Sequence, residues 1–122
     1  MRILVIDDSD AIREALRASI QYLGHQFIPA SNGEEGIKIV EANKDIDLVL
    51  IDRQMPRILG EAVVRQVRGL RPHIKIVLMS GNLDESIRKV ALAAGANRVV
   101  EKPFSLENLL QELFPKKKGG EK

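Results

Sequence analysis

Leu48-Val49-Leu50-Ile51-Asp52-Arg53-Gln54-Met55-Pro56 is the stretch that decides the fold. Four apolar residues in succession read as a strand buried on both faces, which is the habit of parallel sheets. The run then ends on a carboxylate that an apolar layer cannot hold. Asp52 therefore belongs at the strand's carboxyl end, where an open parallel sheet keeps its ligand crevice. Pro56 biases Met55 towards extended backbone and delays the next helix, which leaves a loop beside Asp52.

The same pattern recurs on either side. Residues 3–6 form a continuous apolar strand ending at Asp7-Asp8. Ser9 or Asp10 can cap the helix that follows, whose Ile12, Ala15, Leu16, Ser19, Ile20 and Leu23 share one face, and Gly24 stops it. Phe27-Ile28 begins a short strand, and Pro29 within it points to a sheet edge. Ser31 and Glu34 resemble a capping box for a helix that turns Ile37 and Val40 inward. Residues 59–70 carry Val63, Val67 and Leu70 on one stripe, before Arg71-Pro72 ends the helix. Residues 74–79 form a fourth strand ending at Ser80-Gly81. A helix over residues 84–94 buries Ile87, Val90 and Ala91, and Gly95 closes it. Val99-Val100 is a fifth strand that runs into Lys102-Pro103. Ser105 caps a last helix with Leu106, Leu109, Leu110 and Leu113 inward, and Pro115 stops it. Five strands and five helices in strict alternation predict a doubly wound α/β parallel sheet with helices on both faces.

Composition narrows the classes. A chain of 122 residues, 44% hydrophobic and 30% charged, suits one globular domain. The absence of cysteine excludes disulfides and thiolate metal sites. Asp7-Asp8 interrupts the opening apolar run too early for a signal peptide, and no apolar run approaches membrane-spanning length, so a cytoplasmic protein without membrane insertion is expected. The formal charge of +2 is concentrated in the last seven residues, with four Lys and one Glu. The body without them is close to neutral, so no direct nucleic-acid contact is expected. The domain is taken as residues 1–114, and residues 115–122 as a disordered basic tail. His25 and His73, near helix ends, read as exposed polar residues.

Chemistry-bearing residues stand at four strand ends: Asp7-Asp8, Asp52, Ser80 and Lys102. With strand order 2-1-3-4-5, those four strands are contiguous. Alternation alone leaves the order open, and 2-1-3-4-5 is the order of the flavodoxin-like class. The ordered set Asp7-Asp8, Asp52 with Met55-Pro56, Ser80-Gly81, Gly95-Ala96 and Lys102-Pro103-Phe104 resembles the receiver domain of two-component response regulators, over residues 2–114. Taken singly, each piece has a plain structural reading. Asp7-Asp8 can be helix capping, Asp52 a turn residue, Ser80-Gly81 a turn and Lys102 solvated surface. Their joint order on matching elements argues for a site.

Physical chemistry gives that site a function. At an effective dielectric of about 20, two unit charges 4 Å apart interact by roughly 4 kcal/mol, so clustered carboxylates hold protons or a divalent cation. All-oxygen ligands suit Mg²⁺, with Mn²⁺ possible. Phosphoryl transfer then depends mainly on positioning and charge stabilisation. Lys102 serves as a point charge on phosphoryl oxygens and Ser80 as a hydroxyl donor. The resemblance implies that Asp52 is the phosphoacceptor, Asp8 a direct metal ligand, Asp7 a ligand through water, and Gln54 a backbone-carbonyl ligand. It also implies a cis Lys102–Pro103 bond. The implied donor is a histidine kinase or phosphotransfer protein, met by Ala11, Ile12 and Ala15. The implied readout is a downstream protein target or output domain, met by the face of the fourth helix, fifth strand and fifth helix, where Arg88, Arg98, Glu101 and Gln111 stand. A signalling switch is expected, not an enzyme.

Two positions depart from the family pattern. Val99 stands where an aromatic ring is common, and Leu59 where a polar residue is common. Two other readings remain. An aspartate-nucleophile phosphohydrolase needs an acid where Gln54 stands. A flavin or nucleotide module needs a glycine-rich loop where Asp8-Ser9-Asp10 stands.

Overall fold

The computed structural model describes residues 1–115. In chain order the elements are β1 (Arg2–Ile6), α1 (Asp10–Tyr22), β2 (Gln26–Ala30), α2 (Gly33–Ala42), β3 (Leu48–Asp52), α3 (Gly60–Leu70), β4 (Lys75–Ser80), α4 (Glu85–Ala94), β5 (Arg98–Glu101) and α5 (Leu106–Leu113). All neighbouring strands pair in parallel, in the order β2-β1-β3-β4-β5. The predicted fold class and strand order are those observed. The basic tail, past Pro115, lies outside the described residues. Among those residues no helix is long and apolar enough to cross a membrane.

Alternation along the central strands divides the core into two layers. Leu4, Ile6, Val49, Ile51, Ile76 and Leu78 meet Val40, Val63, Val64, Val67 and Ala91 on the side of α2, α3 and α4. Ile3, Val5, Leu48, Leu50, Val77 and Met79 meet Ile20, Leu106, Leu109, Leu110 and Leu113 on the side of α1 and α5. Every residue of β3 is buried, as expected of a strand covered on both faces. Pro29 sits on the edge strand β2.

Ser9, Asp84 and Ser105 each accept a backbone N–H at the start of α1, α4 and α5. The cap of α2 differs from expectation: Asn32, not Ser31, accepts the Glu35 N–H at 2.8 Å. Ser31 has another partner, since its N–H and hydroxyl both donate to the Glu35 carboxylate. Val90 also departs from expectation, being 50% exposed. The buried stripe of α4 follows Ile87, Ala91 and Ala94, and Val90 falls beside it.

The approach of α3 to the end of β3 sets the geometry around Asp52. Gly60 starts α3, and its N–H donates to the Arg53 carbonyl at 2.8 Å. A Cβ at Gly60 would lie 2.5 Å from the Asp52 carbonyl oxygen and 2.7 Å from the Arg53 Cα. Both are backbone atoms that cannot rotate away. Leu59 is therefore the residue before the helix and not its first, and it is left 55% exposed.

Gly60→Ala should destabilise the protein by about 1–3 kcal/mol, because overpacking against backbone exceeds the roughly 1 kcal/mol gained in helix propensity. Gly69→Ala, where a new Cβ meets nothing within 4 Å, should instead stabilise by about 0.5–1 kcal/mol. Urea unfolding of the two variants checks the opposite signs.

Candidate functional site

Parallel pairing delivers the strand ends to one rim. Ile6 of β1 is level with Ile51 of β3, so Asp7-Asp8 and Asp52 emerge side by side. The Asp7 N–H donates to the Ala30 carbonyl, and its Oδ1 accepts the Ser9 N–H at 2.9 Å. Asp7 is fully buried, Asp52 is 6% exposed and Asp8 is exposed. One ligand oxygen from each lies within 4.8 Å of the others. From β5, Lys102 is tied to β4 through its N–H and the Ser80 carbonyl at 2.8 Å. Its Nζ donates to Asp52 Oδ1 at 3.0 Å and lies 3.5 Å from Asp7 Oδ2. The Lys102–Pro103 bond is cis. Asp7, Asp8, Ser9, Asp52, Arg53, Gln54, Gly81 and Lys102 line a cleft of about 240 Å³.

Electrostatics in the cleft are unbalanced. Burial, the nearby Asp52 charge adding to it, raises the Asp7 carboxyl above its ordinary value, although the Ser9 N–H and the Lys102 ammonium pull the other way. Burial also disfavours the Lys102 ammonium, but its hydrogen bond to Asp52 and the charges of Asp7 and Asp52 outweigh that and raise its pKa. Asp7 Oδ2 is buried without a hydrogen-bond partner. An orphaned buried carboxylate oxygen beside two further carboxylates is a donor set that fits a hard divalent cation.

Not every predicted site residue faces the cleft in the same way. Ser80 is buried at the end of β4, and its hydroxyl donates to the Asn82 carbonyl instead of a cleft carboxylate. Gln54 is exposed on the cleft rim. Val99 is half-buried against the α3–α4 layer. His25 and His73 precede β2 and β4, at the opposite end of the sheet from Asp52.

Three residues near the site escaped the sequence reading. Asn82 holds the Ser80 hydroxyl through its backbone, which no side-chain pattern signals. Arg53 lines the cleft and pairs with Glu61 at 2.9 Å. Glu61 did carry a signal: it lies at helical spacing from Val64 and Val67, on the buried stripe of α3.

A groove of about 340 Å³ adjoins the cleft through Lys102. Ile12, Ala15, Leu16 and Ser19 of α1 form one wall, and Pro103 and Phe104 the other. Arg88, Arg98, Glu101 and Gln111 are all exposed on the face of α4, β5 and α5.

Comparison with known proteins agrees with this geometry. The family model for the response regulator receiver domain matches residues 3–114. Response regulator MprA of Mycobacterium sp. (strain KMS) is 38% identical over 113 residues, which are 93% of this chain and 49% of that protein. The chain thus spans about half the length of the curated relatives it matches. Among solved structures, response regulator protein TrrA from Thermotoga maritima, in complex with Mg²⁺-BeF, superposes with a TM-score of 0.80 at 34% identity, over 92% of this chain and 95% of that one. Chemotaxis protein CheY4 of Vibrio cholerae gives a TM-score of 0.83 at 26% identity, over 92% and 94%.

Because Asp7 has a raised pKa, the folded state holds its proton to higher pH than the unfolded chain does. Its contribution to stability therefore falls as pH rises from the ordinary value of 3.8 through the raised one. Asp7→Asn should be more stable than the parent at pH 7 without added metal, and should lose that advantage below pH 3.8. Lys102 has the opposite consequence for alkali: its stabilisation is present below 10.5 and disappears as pH rises through the raised value. Thermal unfolding of both proteins across pH checks the two signs.

Proposed function

The chain belongs to the response regulator receiver domain family, and from that membership we propose that it accepts a phosphoryl group on Asp52 and relays the change to a partner. The observation that carries this reading is the Lys102 ammonium, 3.0 Å from Asp52 Oδ1 in a cleft shared with Asp7 and Asp8.

The donor is a histidine kinase or phosphotransfer protein bearing a phosphohistidine. An Asp52 carboxylate oxygen attacks phosphorus, the phosphorus–nitrogen bond breaks, and the departing imidazole nitrogen keeps the bonding pair and takes up a proton. The product is an aspartyl phosphate. Lys102, whose pKa is raised, keeps its proton on Nζ and moves from Asp52 to a phosphoryl oxygen. Asp7, Asp8, Asp52 and the Gln54 backbone carbonyl would hold Mg²⁺, or Mn²⁺ in its place, which when bound would offset the negative charge that gathers as the phosphoryl group approaches. The Mg²⁺-BeF complex of TrrA, which is 34% identical, supports that choice of cation.

Ser80 completes the switch. Its hydroxyl leaves the Asn82 carbonyl and donates to the phosphoryl group, which draws in the loop between β4 and α4. The face of α4, β5 and α5 carries the result to a downstream protein target or output domain. Val99 fills its half-buried place without the swing of a large ring, so the loop and α4 carry the signal here. The groove beside α1, with Ile12, Ala15 and Phe104, suits a helix of the phosphodonor. In this reading residues 1–114 are the receiver unit, they work in the cytoplasm, and they contact neither nucleic acid nor bilayer directly. They turn over no substrate beyond their own phosphoryl group. The phosphohydrolase alternative has an amide, Gln54, where it needs an acid.

Incubation with phosphoramidate and Mg²⁺, followed by intact-mass measurement, should show one phosphoryl adduct per chain, absent in Asp52→Asn and absent when EDTA replaces the metal. An adduct that persists in Asp52→Asn contradicts the assignment. Ser80→Ala should still take the phosphoryl group but lose the coupling to its partner, a loss of about 5- to 150-fold in phosphorylation-dependent affinity.

A further inference from the structure

Arg53 and Glu61 have no task in the reaction above, yet both are held in place against a desolvation cost. Arg53 follows the acceptor directly, and its N–H donates to the Met79 carbonyl at 2.8 Å. It lines the same cleft as Asp7, Asp8, Asp52 and Lys102. Its side chain is only 23% exposed, and Nε donates to Glu61 Oε2 at 2.9 Å. Nη1 and Nη2 take no hydrogen-bond partner among the described residues. Glu61, in the first turn of α3, is 8% exposed, and its Oε1 is buried without a partner. A half-satisfied buried carboxylate is destabilising, and an apolar residue there would simply extend the stripe of Val64 and Val67. The Arg53 charge is felt at Asp84, the cap of α4, rather than at Asp7 or Lys102. The Asp84 carboxyl is lowered first by the Ile87 N–H and the Ser86 hydroxyl, with Arg53 a smaller contributor.

A guanidinium so placed, one residue from the acceptor and attached to α3 by one of its three nitrogens, has two donor groups to spare. Resting on the phosphoacceptor reading of Asp52, we infer that Arg53 is a second cationic partner of the phosphoryl group, held at the cleft wall by Glu61 until that group arrives. Lys102 approaches from β5 and Arg53 from the loop after β3, so the added negative charge is met from two sides. Glu61 sets how readily the guanidinium is given up. The arrangement also opposes early metal binding, because a positive charge at the rim repels Mg²⁺ before it attracts phosphoryl oxygen.

That opposition of sign separates an electrostatic role from a structural one. Calorimetric titration with MgCl₂ alone, and then with beryllofluoride at saturating Mg²⁺, reads the two affinities. Arg53→Met should weaken beryllofluoride binding by about 3- to 10-fold while tightening Mg²⁺ by about 2- to 3-fold, magnitudes expected of one screened charge at this range. Arg53→Lys should restore the Mg²⁺ affinity of the parent and only part of the beryllofluoride affinity, since an ammonium lacks the planar fork. Glu61→Gln should shift both affinities the other way. If Arg53→Met moves the two affinities in the same direction, or moves neither, the inference is overturned while the role of Asp52 stands. If the unaltered chain binds neither probe, the acceptor reading fails first and takes this one with it.

Discussion

One ammonium between two carboxylates is the contact on which the rest of the structure depends. Lys102 reaches Asp52 at 3.0 Å and Asp7 at 3.5 Å, in a rim where three acidic groups crowd close together. Without that ammonium the carboxylates would repel one another in a buried setting. With it the cluster remains short of neutral, and Asp7 stays raised, by burial first and by the Asp52 charge second. The site is thus poised to take up positive charge, which is what the proposed approach of a phosphoryl group to Asp52 requires.

Strand order makes the contact possible. β1 and β3 are neighbours, so their carboxylates meet directly, whereas β4 separates β3 from β5. Two strand spacings are roughly 10 Å, and among cationic side chains a long flexible stem is needed to cover that gap from β5. Lys102 supplies it, anchored by its own N–H to the Ser80 carbonyl on the intervening strand. Rigidity comes from below. The alternating faces of β1, β3 and β4 bury two apolar layers, and Gly60 lets α3 close against the backbone of Asp52 and Arg53. A well-packed sheet stabilises the fold enough to carry an unfavourable cluster at its edge.

Much of this was legible in the residues. The apolar runs ending at Asp7, Asp52 and Ser80 named the central strands, because a parallel strand buried on two faces has only its ends free for polar chemistry, whereas the strand order that gathers those ends and Lys102 on one rim came from the resemblance to a known fold. The caps Ser9 and Ser105 were legible because a short oxygen-bearing side chain before an apolar stripe has one ready use, whereas Asp84, read as part of its helix, proved to be the cap before it. Where local spacing allowed two answers, tertiary contacts chose. Asn32 took the cap that Ser31 also fitted, and Val90 fell beside the buried stripe of α4. The Ser80 hydroxyl bond to a backbone carbonyl was beyond reach, since a carbonyl has no sequence identity. Arg53 and Glu61 look like surface charges in the sequence, although the stripe of Val64 and Val67 runs through position 61.

The central claim is that these strand ends form a phosphoryl dock whose acceptor is Asp52. The most direct measurement is to treat the chain with phosphoramidate and Mg²⁺, reduce the acyl phosphate with borohydride and sequence the peptides by tandem mass spectrometry. The account predicts homoserine at position 52 and at no other aspartate, only when the metal is present. Homoserine at Asp7, Asp8 or another aspartate, or none at any position, would contradict it.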